Sequence, residues 1–264
     1  MIDSHTHSHH SPDGRGTLTE LAETALTLGL EGIAFTEHAE WYPEDEAYDY
    51  LDLDAYFAEL NAVRAVHYGD LHILSGVELG NPHDFPTQAE AMLDRYPFDL
   101  VIGSVHWLDG LPGWQAPTFT PSLQATYCRY FDELLHMVTE ADFDVLGHLD
   151  IVRRDSWDLF KQTLNLNAFH GTIDQTLQKL IDAGRGLEVN TSGLRKGLPE
   201  PNPSLSVLRR YRKLGGEILV FGSDGHRPRQ LGHGFKDARN LALAAGFRHT
   251  VRYKERRIVD WLTL

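Results

Sequence analysis

The sequence is poor in cysteine, since Cys128 is the only one among 264 residues. A single thiol excludes a disulfide within the chain, and it argues against an iron–sulfur site or another site built from several thiolates. Scarcity of cysteine is typical of proteins in a reducing compartment, so we expect a cytoplasmic location.

Long apolar segments and an excess of positive charge are also missing from the sequence. No apolar run approaches the roughly 20 residues that a membrane helix requires, and the histidine-rich start of the chain has no apolar signal-peptide core. The formal net charge is −14 at pH 7, whereas binding to nucleic acid or to an anionic membrane needs a basic surface. We therefore expect neither nucleic acid nor a membrane as a partner. A small anionic substrate stays compatible with this charge, because a few arginines and bound cations make one pocket positive.

Seven short apolar runs, each typical of a buried β-strand, alternate with helical patterns along the chain. The strand-like runs cover residues 1–2, 32–36, 72–77, 100–105, 145–147, 186–189 and 218–223. Periodicity and capping residues predict helices over 18–28, 54–66, 87–96, 122–139, 167–183, 204–214 and 236–245. This alternation predicts one α/β domain over residues 1–264, in which parallel strands close into a barrel.

Three segments fall outside this alternation. Residues 40–53 and 107–121 form long loops after ligand-bearing strands, and we expect both to overhang the functional pocket. Tolerated surface insertions are the alternative explanation of these loops. Residues 249–261 are predicted to form a terminal hairpin outside the barrel, with its turn at the charged residues 254–257.

Metal-type ligands stand at the ends of six of the seven strand-like runs. The ligands are His5 with His7, His38, Glu78, His106, His148, and Asp224 with His226. The carboxyl ends of barrel strands meet at one rim, so we expect these side chains to share one pocket. Taken singly, each histidine could be a hydrogen-bonded core or rim residue, and Glu78 could be a salt-bridge partner. The joint pattern favours metal binding.

The types of ligand restrict the choice of metal. Imidazole and carboxylate groups without thiolates favour zinc, manganese or iron, and so many histidines argue against calcium. At least eight ligands are too many for one ion. The sequence therefore predicts two or three ions, with a carboxylate such as Glu78 as the bridge.

Six motifs, in their order along the chain, resemble the PHP (polymerase and histidinol phosphatase) superfamily. They are His5-Thr6-His7, Thr36-Glu37-His38, Gly76-Val77-Glu78, Ser104-Val105-His106, Gly147-His148-Leu149-Asp150 and Ser223-Asp224-Gly225-His226. Arg153-Arg154 and residues 190–195 resemble its branch of monofunctional histidinol-phosphate phosphatases. The resemblance runs through the whole chain. It implies a distorted (β/α)7 barrel, an active site at the carboxyl ends of the strands, and usually three metal ions.

The resemblance also implies a role for each ligand. His5, His7, Glu78 and Asp224 would hold the first metal, Glu78, His106 and His148 the second, and Asp13, His38 and His226 the third. At the third site His9 or His10 could compete with Asp13. Arg153 or Arg154, together with Arg195, would bind phosphate through planar guanidinium groups. Judged from the residues themselves, either His226 or Asp224 could hold the proton for the leaving group through a metal-bound water, and the sequence leaves the choice open.

The activity implied by the resemblance is hydrolysis of L-histidinol phosphate to L-histidinol and phosphate by metal-activated water, a step of histidine biosynthesis. Acidic residues of 40–54 could meet the amine of this small phosphorylated substrate, and Trp107 or Trp114 could cover its imidazole. One alternative is another PHP phosphoesterase, acting on nucleotides, oligonucleotides or phosphotyrosine. Another is a metal-binding module without turnover. The sequence leaves the oligomeric state open.

Overall fold

Seven parallel strands form the central sheet of the protein, which a computed structural model describes over residues 1–264. The strands of the protein are β1 (Ile2–Thr6), β2 (Gly32–Ala39), β3 (His72–Gly80), β4 (Leu100–Ser104), β5 (Trp107–Leu108), β6 (Leu111–Pro112), β7 (Val145–Leu146), β8 (Gly186–Asn190), β9 (Leu219–Gly222), β10 (His249–Lys254) and β11 (Arg257–Thr263). The central sheet has the order β1-β2-β3-β4-β7-β8-β9, and every pairing in it is parallel. The seven predicted strands are thereby confirmed.

The sheet curls until its first and last strands meet. Asp224 N donates to His5 O at 2.8 Å, and His7 N donates to Gly225 O at 2.9 Å. These bonds join the chain just beyond β9 to the end of β1, so the barrel is closed at the carboxyl ends of its strands. The predicted barrel is confirmed, and its closure brings residues from both ends of the sequence to one rim.

Nine helices surround the strands. They are α1 (Leu18–Thr27), α2 (Leu53–Val66), α3 (Pro86–Arg95), α4 (Leu123–Glu140), α5 (Ile151–Phe160), α6 (His170–Asp182), α7 (Ser192–Arg195), α8 (Leu205–Lys213) and α9 (Phe235–Ala245). Seven of them correspond to the predicted helices, whereas α5 and the single turn α7 have no counterpart among the predictions. Helix α1 begins at the predicted capping box, in which Thr17 and Glu20 each bond the backbone N–H of the other.

The polarity of the side chains inside the barrel changes along the barrel axis. Its amino-terminal end is filled by apolar side chains, among them Leu74, Ile102 and Val220. Further along the same strands the buried side chains become polar, as at Glu78 on β3 and Glu188 on β8. Because side chains alternate across a strand, the outward positions between them pack against the helices in a second, larger core.

The predicted terminal hairpin is present as β10 and β11, which pair only with each other. Val251 and Tyr253 of β10 join the apolar cluster of the barrel interior. In the turn, Arg256 pairs with Asp142 and Asp144, which precede β7. The hairpin therefore covers the amino-terminal end of the barrel, opposite the rim that carries the ligands. None of the helices is both long enough and apolar enough to span a bilayer.

Candidate metal centre

The side chains that follow the barrel strands line one cavity of about 640 Å³. Those facing it are Asp13, His38, Glu78, His106, His148, Arg154, Arg195, Asp224 and His226. His5 and His7 lie beneath them and are completely buried. Asp45 and Glu46 of one long loop and Trp114 of the other contribute to the rim. Both loops therefore overhang the cavity, as the sequence predicts.

Glu78 lies at the centre of the cluster, and its two oxygens face different histidines. Oε2 lies 3.1 Å from His5 Nε2 and 3.5 Å from His7 Nε2. Oε1 lies 3.3 Å from His106 Nε2 and 2.8 Å from His148 Nε2. One carboxylate thus stands between two groups of imidazoles, which is the arrangement expected of a bridging ligand.

The distances between neighbouring ligand atoms match those around a small metal ion. His5 Nε2 and His7 Nε2 are 3.1 Å apart, and His7 Nε2 lies 3.6 Å from Asp224 Oδ1. Two atoms bound at about 2.0–2.1 Å to a tetrahedral zinc ion are separated by about 3.3 Å. The first group of ligands therefore has the spacing of a coordination shell.

A third group lies at the outer side of the same cluster. Asp13 Oδ2 is 3.0 Å from His226 Nε2, and His38 Nε2 is 3.4 Å from the same nitrogen. The structure does not bring His9 or His10 to this group, because both imidazoles face Glu59 on α2 instead. Of the three candidates for this position, only Asp13 lies beside His38 and His226.

Two glutamates that sequence reasoning missed hold the remote nitrogens of the histidines. Glu188 Oε1 lies 2.8 Å from His5 Nδ1, and Glu40 Oε1 lies 2.6 Å from His106 Nδ1. Glu188 also accepts a hydrogen bond from the backbone N–H of His148 through Oε2. A carboxylate at Nδ1 fixes the tautomer and directs Nε2 toward a metal. The signal for Glu188 was a charged residue inside a buried strand.

Two glycines make room for these glutamates. A Cβ atom at Gly222 would lie 1.9 Å from Glu188 Oε1, and a Cβ atom at Gly80 would lie 1.9 Å from Glu40 Oε2. Any side chain at either position would displace the carboxylate. The glycines on β9 and β3 are therefore part of the architecture of the site.

Burial and mutual proximity shift the ionisation of these groups strongly. Burial lowers the pKa of His7 well below its usual value, and the neighbouring imidazoles of His38 and His226 lower it further. Burial also opposes the charge of Glu78, but the imidazoles of His5 and His106 outweigh it and hold the pKa of this carboxyl well below its usual range. A neutral His7 and an ionised Glu78 are the forms that bind metals.

Several buried polar atoms of the cluster have no hydrogen-bond partner. They include Asp13 Oδ1, Glu40 Oε2 and His148 Nδ1. Buried polar groups are nearly always paired, because an unpaired one loses its hydration without compensation. Unpaired donors and acceptors, carboxylates and closely spaced imidazoles at one rim fit a cluster of cations. The residues present therefore suit the metals expected from the sequence.

The three candidate phosphate-binding arginines have different surroundings. Arg154 lines the cavity, with Nη1 3.4 Å from Asp224 Oδ2 and Nε 3.0 Å from Asp155. Arg195 also lines the cavity, but both its terminal nitrogens donate to the backbone carbonyls of Ser223 and Asp224. These bonds hold a turn in which Asp224 adopts a left-handed φ of 52°.

Arg153 is not brought to the cavity. Its guanidinium is buried against Asp150 at 3.0 Å and Glu200 at 3.2 Å, on another side of α5. Arg153 and Arg154 are adjacent in sequence, and successive residues of a helix point in different directions. Of the two alternatives, the structure places Arg154 beside the ligands.

Comparison with known proteins finds relatives that match nearly the whole chain. A family model described as the PHP domain matches residues 3–192. A probable histidinol-phosphatase of Deinococcus radiodurans is 30% identical over 266 residues, which cover 98% of each chain. A probable histidinol-phosphatase of Clostridium acetobutylicum is 29% identical over 245 residues, covering 92% of each chain.

A solved structure shares the fold. The histidinol phosphate phosphatase of Lactococcus lactis, solved as a complex with zinc, L-histidinol and phosphate, has a TM-score of 0.86 and 24% identity to this chain. The likeness covers 98% of each chain. It confirms the barrel as the fold of the entire sequence.

Proposed function

This chain belongs to the PHP domain family, and we therefore propose that it is a metal-dependent phosphatase that hydrolyses L-histidinol phosphate to L-histidinol and phosphate in histidine biosynthesis. Relatives named as histidinol-phosphatases match it over more than nine-tenths of its length. The observation that carries the proposal is the position of Glu78 between two groups of imidazoles, at the bottom of a cavity that also holds Arg154.

We assign three groups of ligands to the metals. His5, His7, Glu78 and Asp224 would hold one ion, Glu78, His106 and His148 a second, and Asp13, His38 and His226 a third. Zinc, manganese or iron suits these nitrogen and oxygen ligands. When bound, such ions neutralise phosphoryl oxygens and lower the pKa of a water molecule, so that a nucleophile is available at neutral pH.

Arg154 is assigned to the phosphate group. Burial opposes the charge of Arg154, but the carboxylates of Asp155 and Asp224 outweigh burial and raise the pKa of its guanidinium above its usual value. The side chain therefore keeps its positive charge at the cavity wall, where it attracts the phosphoryl oxygens. Arg195 contributes mainly its charge and the shape of the turn at Asp224, because its terminal nitrogens are already bonded.

The proton for the leaving oxygen is assigned to a water molecule that Asp224 or His226 would hold, because neither side chain carries a free proton when it serves as a metal ligand. Both side chains line the cavity. His226 Nδ1 lies 3.0 Å from Asp224 O, to which it donates, so the imidazole is held with Nε2 toward Asp13. Asp224 Oδ1 faces His7 and Oδ2 faces Arg154.

The rim of the cavity supplies groups that suit the remainder of histidinol. Asp45 is engaged already, since it accepts hydrogen bonds from Trp107 Nε1 and Ala47 N. Glu46 is exposed at the rim and is the acid that we assign to the substrate amine. Trp107 is buried and stacks on Tyr42, whereas Trp114 is 45% exposed and is assigned to the imidazole of the substrate.

A substrate panel tests the activity. Zinc-loaded protein is given histidinol phosphate, a nucleoside monophosphate, phosphotyrosine and p-nitrophenyl phosphate, and released phosphate is measured. We expect the highest kcat/KM with histidinol phosphate. A preference for another ester would favour a different phosphoesterase activity of the family, and no release from any ester would favour a metal-binding module without turnover.

The role of Glu46 is tested by Glu46→Gln. We expect KM for histidinol phosphate to rise about tenfold, since an ion pair with the amine is lost, while KM for p-nitrophenyl phosphate stays unchanged. Glu44→Gln is the matched control, because Glu44 is an exposed glutamate of the same loop that does not line the cavity. Equal losses on both substrates would contradict a role in recognition.

A further inference from the structure

A second group of metal-type ligands lies outside the cluster around Glu78. It consists of His9 and His10, in the loop between β1 and α1, and Glu59 on α2. His10 Nε2 lies 2.9 Å from Glu59 Oε2, and His9 Nε2 lies 3.3 Å from the same oxygen. One carboxylate oxygen therefore faces two imidazole nitrogens, and none of the three residues lines the cavity of the proposed active site.

The backbone fixes the orientation of two of these side chains. Glu59 Oε1 accepts a hydrogen bond from Leu18 N at the start of α1, at 3.1 Å, so Oε2 is the oxygen left for the imidazoles. His9 Nδ1 lies 3.3 Å from Gly16 O, which can only accept. His9 therefore carries a proton on Nδ1, and the backbone selects its tautomer as it does for many metal-binding histidines.

This tautomer creates an electrostatic conflict that a cation removes. In neutral His9 the lone pair of Nε2 points at the negatively charged Oε2 of Glu59, 3.3 Å away. Two lone pairs at this distance repel each other unless a proton or a metal ion lies between them. Without a metal, His10 can donate its own Nε2 proton to the same oxygen at 2.9 Å, and only His9 is left facing it with a lone pair. A metal ion in place of that proton would bind the lone pairs of both imidazoles.

We propose that His9, His10 and Glu59 form an additional site for a divalent transition-metal ion, with zinc as the ion that its two imidazoles and one carboxylate suit best. The donor set is that of three-ligand zinc sites, in which the fourth position is open to water. His9 has 44% of its side chain exposed, so the open position faces solvent. The inference does not depend on the proposed phosphatase activity.

The ion would link the loop between β1 and α1 to helix α2. His9 and His10 lie between His7 and Asp13 in sequence, and Glu59 lies on α2. An ion held by all three residues would fix the loop that carries Asp13. Because the ion binds the folded loop, its occupancy should raise the thermal stability of the protein.

Zinc stoichiometry tests the site. Protein with its main cluster filled is dialysed against a series of free Zn²⁺ concentrations, and bound zinc per chain is measured by elemental analysis. We expect wild type to bind one ion more than either His9→Gln or Glu59→Gln. In Glu59→Gln the amide oxygen can still accept from Leu18 N, so the start of α1 is retained.

A matched control and a positional measurement make the result decisive. His249→Gln removes an exposed histidine of β10 and should keep the full zinc content. Anomalous scattering at the zinc edge, from crystals grown with zinc, should show a peak bounded by His9 Nε2, His10 Nε2 and Glu59 Oε2. Equal zinc content in all four proteins, or peaks confined to the cluster around Glu78, would overturn the proposal and leave a proton between His9 and Glu59.

Discussion

Two histidines of the candidate centre, His5 and His106, depend on a glutamate for their orientation. His5 reaches Glu188 through Nδ1, and His106 reaches Glu40 in the same way. These contacts leave Nε2 of both rings directed at Glu78. At the scale of single residues, metal affinity is therefore expected to depend on the glutamates that orient the histidines as well as on the ligands themselves.

Glu188→Gln tests this dependence. The substitution keeps the shape of the side chain but removes the negative charge that faces His5 Nδ1. We expect zinc affinity to fall by about 10- to 100-fold, which competition with a fluorescent zinc chelator measures. Glu90→Gln, which alters an exposed glutamate of α3, is the matched control. Unchanged zinc affinity in Glu188→Gln would mean that His5 needs no support.

The two adjacent arginines of α5 should respond differently to substitution. Arg154→Met removes a positive charge from the cavity, so kcat/KM should fall about a hundredfold while stability changes little. Arg153→Met leaves Asp150 buried without its ion-pair partner, so the free energy of unfolding should fall by about 3 kcal/mol. Urea unfolding and steady-state kinetics separate the two effects. The reverse pattern would contradict the assignment of Arg154 to phosphate.

The sequence predicts the ligands that follow strands better than the residues that support them. Glu78 and His148 follow apolar runs, so a rule about strand ends finds them. Glu188 lies inside such a run and Glu40 begins a loop, so a rule about strand ends finds neither of them. The one signal for Glu188 is its charge within a buried strand, and that signal does not say which histidine it supports. The choice between Arg153 and Arg154 required the direction of each side chain around a helix that the sequence did not predict.

At the scale of elements, neighbouring strands interlock through a glycine and a glutamate. Gly222 on β9 leaves the space that Glu188 of β8 occupies, and Gly80 at the end of β3 does the same for Glu40. Close packing inside a protein leaves no room for an added methyl group at such contacts. The spacing of the strands and the orientation of the histidines are thereby coupled.

Gly222→Ala tests this coupling. The new Cβ would lie 1.9 Å from Glu188 Oε1 and 2.5 Å from His5 Cβ, so the carboxylate must move. We expect destabilisation of about 1–3 kcal/mol by overpacking, together with reduced zinc content. Gly171→Ala on α6 is the control, because nothing lies within 4 Å of its added Cβ. Full zinc retention in Gly222→Ala would show that Glu188 has room to move.

Helix α5 shows where periodicity fails as a guide to elements. Its residues Ile151, Val152, Arg153, Asp155 and Ser156 are all buried, so the segment lacks a clean alternation between an apolar and a polar face. Asp150 precedes the helix without a side-chain cap bond. The longer helices α1, α4 and α6 have apolar faces toward the core, and their sequences predict them.

Across the whole molecule, the two ends of the barrel have separate tasks. The amino-terminal end holds apolar side chains and is covered by the hairpin of β10 and β11. The carboxyl end gathers carboxylates and imidazoles that are buried together. The first end stabilises the fold by burying apolar area. The second end holds carboxylates and unpaired polar groups close together, which destabilises the fold unless bound ions compensate them.

Metal removal should therefore affect both activity and stability. After dialysis against a strong chelator we expect loss of phosphatase activity and a lower Tm, because an ion that binds only the native state stabilises it by mass action. Adding zinc back should restore both. Differential scanning calorimetry measures the Tm, and elemental analysis the metal content, of the chelator-treated protein and of the protein with zinc added back. An unchanged Tm in protein that has lost its metal would show that the cluster is stable without ions.

The contact between the first and last barrel strands has a consequence for synthesis. His5 and His7 precede Asp224 along the chain, and the hydrogen bond from Asp224 N to His5 O exists only after β9 has docked beside β1. Until then, an ion bound at this position would have fewer ligands and would exchange more readily with the surrounding metal pool. The group of ligands that we propose for the first metal is therefore complete only in the finished barrel and not in the growing polypeptide.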